Sequence, residues 1–198
     1  MIKSLLRYSF LYNLLMRLLG SKKSTLNFIN DYTNFKPNVR VLDLGCGPAQ
    51  ILSLLPKVEY TGIDASEDYI KAAKLRFPSG RFICSHFDHS TNLTGKYDVV
   101  FALGLIHHLD EKTSINLIIN ASNVLKEGGQ LITFDNVIYN GQNWLNRWII
   151  KQDRGNYIRN FREYTSLFPQ DKFSQIQFDL REDLLRIPYS HIISICTR

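Results

Sequence analysis

The stretch Val41-Leu42-Asp43-Leu44-Gly45-Cys46-Gly47-Pro48 decides the fold. Val39 to Leu44 is a short, nearly continuous apolar run and reads as a strand buried on both faces. The two glycines after it let the backbone turn and approach a ligand with no Cβ in the way. Pro48 and Ala49 then open a short helix that Pro56 stops, so the turn is expected to end on a helix N-terminus with free N–H groups. Val58 to Ile63 repeats the apolar run and closes on Asp64. That strand, glycine turn, helix, strand order is the unit of a parallel sheet wrapped by helices.

The same alternation continues outward. Ser66 is placed to cap a helix whose first turn holds Glu67 and Asp68, whose last turn holds Lys74 and Arg76, and which Pro78 closes. Arg81 to Cys84, Asp98 to Leu103 and Gln130 to Asp135 read as further forward strands, with a helix from Glu111 to Lys126 ended by Gly128. After Asp135 the alternation breaks into a polar, aromatic stretch to Lys172. Phe173 to Leu180 and His191 to Cys196 follow as two strands whose connection is too short for a crossover helix, which makes them antiparallel. Upstream, Leu11, Leu14, Leu15 and Leu18 recur at helical spacing, so an amphipathic helix is expected there, with a second from Ser24 to about Tyr32. The longest charge-free piece of that region, Tyr8 to Met16, falls far short of the roughly 18 apolar residues of a membrane span.

The chain of 198 residues, 44% hydrophobic and 21% charged, suits one domain and excludes a disordered tail. Four parts are expected: an N-terminal helical cap over 1–36, a cofactor-binding core over 39–135, a substrate-side insertion over 136–172, and a terminal hairpin over 173–198. The net charge of +6 is spread along the chain instead of clustered. Three cysteines far apart, two of them in apolar runs, argue against a disulfide framework and for the cytoplasm.

Chemistry gathers at the strand ends. Asp64, about twenty residues past Gly45, is placed to accept from two ribose hydroxyls. An adenosine-containing cofactor fits, either a dinucleotide or S-adenosylmethionine. The dinucleotide fingerprint wants a small third residue where this chain has Gln50, and Asp43 has no place in it.

Val41-Leu42-Asp43-Leu44-Gly45-Cys46-Gly47, Tyr60-Thr61-Gly62-Ile63-Asp64-Ala65-Ser66, the run from Asp98 to Leu109 and the run from Leu125 to Asp135 together resemble the class I S-adenosylmethionine-dependent methyltransferases, of the small-molecule kind with ubiquinone-biosynthesis-like motifs. The resemblance implies a three-layer α/β Rossmann-like fold with a seven-stranded, mostly parallel sheet of order 3-2-1-4-5-7-6 and strand 7 antiparallel. It implies S-adenosylmethionine as cofactor and S-adenosylhomocysteine as product. Asp43, Gly45, Cys46 and Gly47 match the glycine-rich motif around the methionine part and ribose; Asp64 matches the ribose acid, with Ala65 after it. His86 and Phe87 align with the adenine-contacting pair, His86 standing where the family carries an acid, and Ala102 and Leu103 align with backbone that meets the methionine part.

His107 and His108 follow the fourth strand at the ligand edge and are the candidate bases, since imidazole titrates near neutrality. The alternative has one of them capping the next helix and the other lining the cofactor pocket. No metal is expected, because the pairs His86/His89 and His107/His108 belong to strands separated by two others, about 14 Å apart. In the insertion, Trp144 and Trp148 share a helical face, and Arg147, Lys151, Arg154, Arg159 and Arg162 outnumber the local acids. Stacking surface with guanidinium forks suits an aromatic or anionic small-molecule acceptor, while the alternative is a Trp pair in a hydrophobic seam with solvated arginines outside. Trp144, Arg154 and Tyr189 are the candidate substrate contacts. Two other functions are weighed: a cofactor-binding sensor without catalysis, and a nucleic-acid methyltransferase, which the absence of an Asn/Asp-Pro-Pro-aromatic motif argues against. Membrane contact through the N-terminal helix has only Lys3, Arg7 and Arg17 to support it.

Overall fold

The computed structural model describes residues 21–33, 35, 38–88, 91, 93, 95–153 and 155–198. The N-terminal helix expected around Leu11 to Leu18, and Arg154, lie outside the described residues. The elements in order are α1 (Ser21–Tyr32), β1 (Arg40–Leu44), β2 (Glu59–Asp64), α2 (Glu67–Arg76), β3 (Arg81–Cys84), β4 (Tyr97–Leu103), α3 (Glu111–Val124), β5 (Leu125–Asn136), α4 (Trp144–Ile150), α5 (Phe161–Thr165), β6 (Gln175–Arg181) and β7 (His191–Thr197), with 3₁₀ turns at Gln50–Ser53, Ile106–His108 and Gln170–Lys172.

The seven strands form one sheet of order β3-β2-β1-β4-β5-β7-β6. β7 runs antiparallel to both β5 and β6, and the remaining pairings are parallel. This is the α/β Rossmann-like arrangement that the motifs imply. Because side chains alternate along a strand, the sheet separates two cores. Leu42, Leu44 and Leu131 pack on one face with Leu117, Ile118 and Ala121 of α3. Val41, Phe101 and Ile132 pack on the other with Phe28 of α1 and Ile70 and Ala73 of α2.

Helix ends follow local chemistry. Ser66 caps α2 by accepting from the Tyr69 N–H at 3.4 Å, and Asp110 caps α3 by accepting from Thr113 N–H at 2.8 Å. Neither His107 nor His108 is the cap. α3 buries Ser114, Leu117, Ile118, Ala121 and Ser122, spaced so that they fall on one side of the helix.

Two expectations are corrected. The helix after β1 is only a 3₁₀ turn: Ala49 takes a left-handed φ of 53°, which stops Pro48 and Ala49 from opening an α-helix, so the glycine turn does not end on a helix N-terminus of full strength. α3 stops at Val124 and β5 begins at once, because Leu125 pairs with Tyr97 and is wholly buried, while Lys126 reaches Asp98 at 2.7 Å. Gly128, with φ 72°, lies within β5 and does not end a helix. The segment from 136 to 172 contains α4, which carries Trp144 and Trp148, together with α5 and a 3₁₀ turn. Among the described residues, no helix is long and apolar enough to cross a membrane.

Candidate cofactor and acceptor site

Residues at the exits of β1 and β2 are tied to each other before any ligand is considered. The N–H groups of Gly45 and Cys46 both donate to the Ile63 carbonyl, at 2.8 and 3.0 Å. One Asp64 oxygen accepts from Gly47 N–H at 2.9 Å and the other from Ser66 N–H at 2.8 Å. Gly45 and Gly47 have φ of 68° and 52°, a region in which an L side chain is strained. A Cβ on Gly45 would also stand 2.9 Å from Leu105 Cδ1, whereas one on Gly47 would have nothing within 4 Å, so the backbone there borders open space. Beside the loop lies a cavity of about 320 Å³ walled by Asp43, Gly45, Cys46, Pro48 and Leu103, with Thr25 of α1 and Tyr69 of α2.

Asp43 is buried, with the Tyr60 hydroxyl 2.5 Å from its Oδ2. Burial, with a smaller push from the charge of Asp64 and against the pull of the Tyr60 hydrogen bond, raises its pKa to about 7. Cys46 is buried beside it, and burial pushes its thiol far up, so it is a packing group and not a thiolate nucleophile. Ala65 is exposed, and its carbonyl lies 3.7 Å from the Cys84 thiol. His86 is exposed, its carbonyl accepting from the Ser85 and Thr91 hydroxyls at 2.8 and 3.2 Å, and Phe87 packs against the α3-side core. Ala102 is wholly buried in that same core, while Leu103 turns to the cavity.

Beyond β4 the two histidines part company. His108 is exposed; His107 is buried, with the ring centroids 4.1 Å apart. His107 Nδ1 lies 2.7 Å from Asp135 Oδ1, which also accepts the His107 N–H at 3.1 Å. Its Nε2 faces Asp153 Oδ1 at 3.6 Å, beyond hydrogen-bond range but close enough for the charges to interact. Burial works against a charge on this ring, but the hydrogen bond and charge of Asp135, helped by Asp153, outweigh it and hold the pKa above its ordinary value. Tyr164 donates to the second Asp135 oxygen at 2.9 Å, and Tyr189 donates to Asp153 Oδ2 at 2.8 Å.

The insertion is clamped on this turn. Tyr157 N–H donates to the His107 carbonyl at 3.0 Å, and the Arg159 guanidinium donates to the carbonyls of Ile106 and Leu109 at 3.1 and 2.7 Å. Arg159 is therefore neither an anion fork nor a solvated arginine. Trp144 and Trp148 are 76% and 48% exposed on the outer side of α4, whose inner side buries Asn146 and Ile150, so they form no hydrophobic seam. Trp144 does not reach the cavity wall, whereas Tyr189 joins the His107 cluster through Asp153. Thr25, Tyr60, Tyr69, Asp135 and Asp153 belong to these sites without having been singled out by sequence. Only Asp135, ending the fifth strand, carried a positional signal.

Residues 41–129 match the family described as "Methyltransferase domain". The trans-aconitate 2-methyltransferase of Rhodopseudomonas palustris (strain BisB18) is 40% identical over 67 residues, 32% of this chain and 26% of that protein. The ubiquinone biosynthesis O-methyltransferase of Idiomarina loihiensis is 28% identical over 127 residues, 61% of this chain and 51% of that protein. The matches span about a quarter to a half of the length of these curated relatives. Among solved structures, the plantazolicin methyltransferase BamL, in complex with a triazolic desmethylPZN analog and SAH, superposes with a TM-score of 0.71 at 19% identity over 96% of this chain and 89% of that one. The pyocyanin biosynthetic protein PhzM gives a TM-score of 0.71 at 15% identity over 96% of this chain and 58% of that one. Residues 41–129 thus resemble a methyltransferase domain, and the described chain shares the fold of these solved methyltransferase structures.

Proposed function

We propose that this protein is an S-adenosylmethionine-dependent methyltransferase acting on a small-molecule acceptor in the cytoplasm, as one domain whose segment 136–172 forms the acceptor side. The observation that carries the reading is the Asp64 carboxylate. It is fixed by Gly47 and Ser66 N–H groups, one on each oxygen, which leaves a lone pair on each oxygen for a pair of ribose hydroxyls. The adjoining cavity, about 320 Å³, is of the size that small-ligand pockets begin at. The open backbone at Gly47 and the absence of a side chain at Gly45 fit a ligand that runs along the loop.

In this reading Asp64 holds the ribose, Asp43, Gly45, Cys46 and Gly47 surround the methionine part, Ala65, His86 and Phe87 border the adenine, and Ala102 and Leu103 back the reacting end. Bound there, S-adenosylmethionine supplies an electrophilic methyl group on a positively charged sulfur. The chain positions the acceptor for in-line attack, and holding the reacting atoms about 3 to 3.5 Å apart provides much of the rate enhancement. Where the acceptor atom carries a proton, His107 takes it at Nε2, because Asp135 fixes the proton on Nδ1 and leaves Nε2 as the acceptor. His108 borders the same rim. The relatives and neighbours named above act on small molecules by their names, which supports an acceptor of that class. Trp144 with Arg147 and Lys151 on the exposed side of α4 supports an aromatic or anionic portion outside the reaction centre, and Arg154 belongs to that set by sequence.

The test is incubation with S-adenosylmethionine and cell extract, followed by mass spectrometry for metabolites that gain one methylene. Binding of the cofactor without any transfer removes the catalytic reading. Asp64→Ala is expected to weaken cofactor binding by about 1 to 3 kcal/mol in calorimetry through its lost charge-assisted hydrogen bonds, and unchanged affinity removes the ribose assignment.

A further inference from the structure

Among the described residues, three buried side-chain atoms lack a hydrogen-bond partner: Asn136 Oδ1, Gln142 Oε1 and His191 Nδ1. They gather in one place. The Asn136 amide donates to the Tyr189 hydroxyl at 2.9 Å, the Gln142 amide donates to Ser190 Oγ at 3.0 Å, and His191 is the next residue, paired directly with Asn136 across β5 and β7. An orphaned buried polar atom is costly, and native proteins keep one mainly where a ligand or water completes it.

Strand alternation places this cluster relative to the cofactor cavity. Asp43 shares a face of the sheet with Val41, Leu103 with Phe101, Asn136 with Ile132 and Phe134, and His191 with Ile193; all of these packing residues belong to the core on the α1 side. Asp43 and Leu103 wall the cavity. β5 and β7 are the next two strands on from β4, and β7 starts where β5 ends, so Asn136 and His191 lie at the same sheet edge, one and two strands along from that wall.

We propose that Asn136 Oδ1 and His191 Nδ1 form a polar anchor for the methyl acceptor that takes a neutral hydroxyl group and disfavours a carboxylate or phosphate. This rests on the methyltransferase reading. An amide oxygen only accepts, and a neutral imidazole nitrogen accepts or donates by tautomer, so a hydroxyl, which does both, satisfies the pair. An ionised carboxylate brings acceptors only. The imidazole supplies no positive charge to attract one, because its ring is buried and stacked on Phe134 at 4.5 Å, and burial holds its pKa down at about 3. Tyr189 touches both members, donated to by Asn136 and with its ring centroid 4.9 Å from that of His191.

The test uses the full chain labelled with ¹⁵N-histidine and saturated with S-adenosylhomocysteine, titrated with catechol and separately with benzoate as probes. Catechol is expected to shift the His191 ring nitrogen resonances, and benzoate at the same concentrations to leave them in place. Catechol affinity is expected to fall about tenfold in Asn136→Leu and in His191→Phe. Catechol leaving the His191 resonances unmoved, benzoate moving them equally, or both variants binding catechol as the parent does, overturns the anchor. Calorimetry with S-adenosylhomocysteine separates the two readings: a parent that does not bind it removes the cofactor assignment, and a parent that binds it while catechol fails removes the anchor alone.

Discussion

The Asp43 carboxyl is buried, with the Tyr60 hydroxyl 2.5 Å away and Asp64 near enough for its charge to be felt. Its pKa, raised by burial to about 7 from an ordinary 3.8, has a definite consequence for stability. A group whose folded pKa lies above its unfolded one contributes stability that is fully present below the unfolded value and is lost as pH rises through the folded one. Asp43→Asn imitates the protonated form at every pH. Urea denaturation of parent and variant is therefore expected to show the variant gaining on the parent as pH rises from about 4 to about 7 and the difference levelling off above that; a constant difference across this range would mean that this carboxyl does not titrate there. Gly45, Gly47 and Asp64 were legible in sequence because each does a local job, a turn or a cap, that a few adjacent residues encode. The Tyr60 contact was not, because its hydroxyl reaches Asp43 across two neighbouring strands, a relation set by register and not by spacing.

Between α4 and α5 the chain passes so close to the turn after β4 that one residue must lack a side chain. A Cβ on Gly155 would stand 2.3 Å from His107 Cδ2 and 2.8 Å from the His107 carbonyl oxygen. Gly155→Ala is thus expected to push the ring or the segment aside and to loosen its contacts with Asp135 and Asp153. Those carboxylates hold the His107 pKa up, and the proposed base works only when neutral, so activity is expected to climb as pH rises through that pKa. In the variant, kcat is expected to fall about 10- to 100-fold from misplacement, and the acid limb of the pH profile to move to lower pH, with cofactor affinity unchanged. A limb that stays in place would separate Gly155 from the His107 pair. At this scale the sequence reading succeeded where an element carries its own punctuation, as at Ser66 and Asp110. It failed where long-range packing overrode local preference. Leu125 left a helical pattern to pair with Tyr97 in the core, and Ala49 took a left-handed conformation that leaves a single 3₁₀ turn.

At the scale of the whole fold, the sheet acts as a wall between two cores that, among the described residues, share no buried residue. The alternating strands and helices were legible from hydrophobic runs, as was the terminal hairpin from its short connection. The insertion of β7 between β5 and β6 was not encoded by any local pattern and came only from the family resemblance, because pairing order depends on residues such as Ile132 and Ile195 that are far apart in sequence. The strands β5 and β7 that place Asp135, Asn136 and His191 at one edge are therefore the part of the site least visible before the fold is known. The wall also makes a quantitative claim. Ile70 of α2 and Ile118 of α3 are 2% and 0% exposed and pack on opposite faces. Ile70→Val and Ile118→Val are each expected to cost about 0.5 to 1.5 kcal/mol in urea denaturation, small enough for the double variant to stay folded. Residues without shared neighbours add, so the double variant is expected to match the sum of the singles within about 0.5 kcal/mol. A larger discrepancy would mean that the sheet passes strain from the cofactor face to the face that holds Asp135, and the two halves of the site would then have to be treated as mechanically coupled.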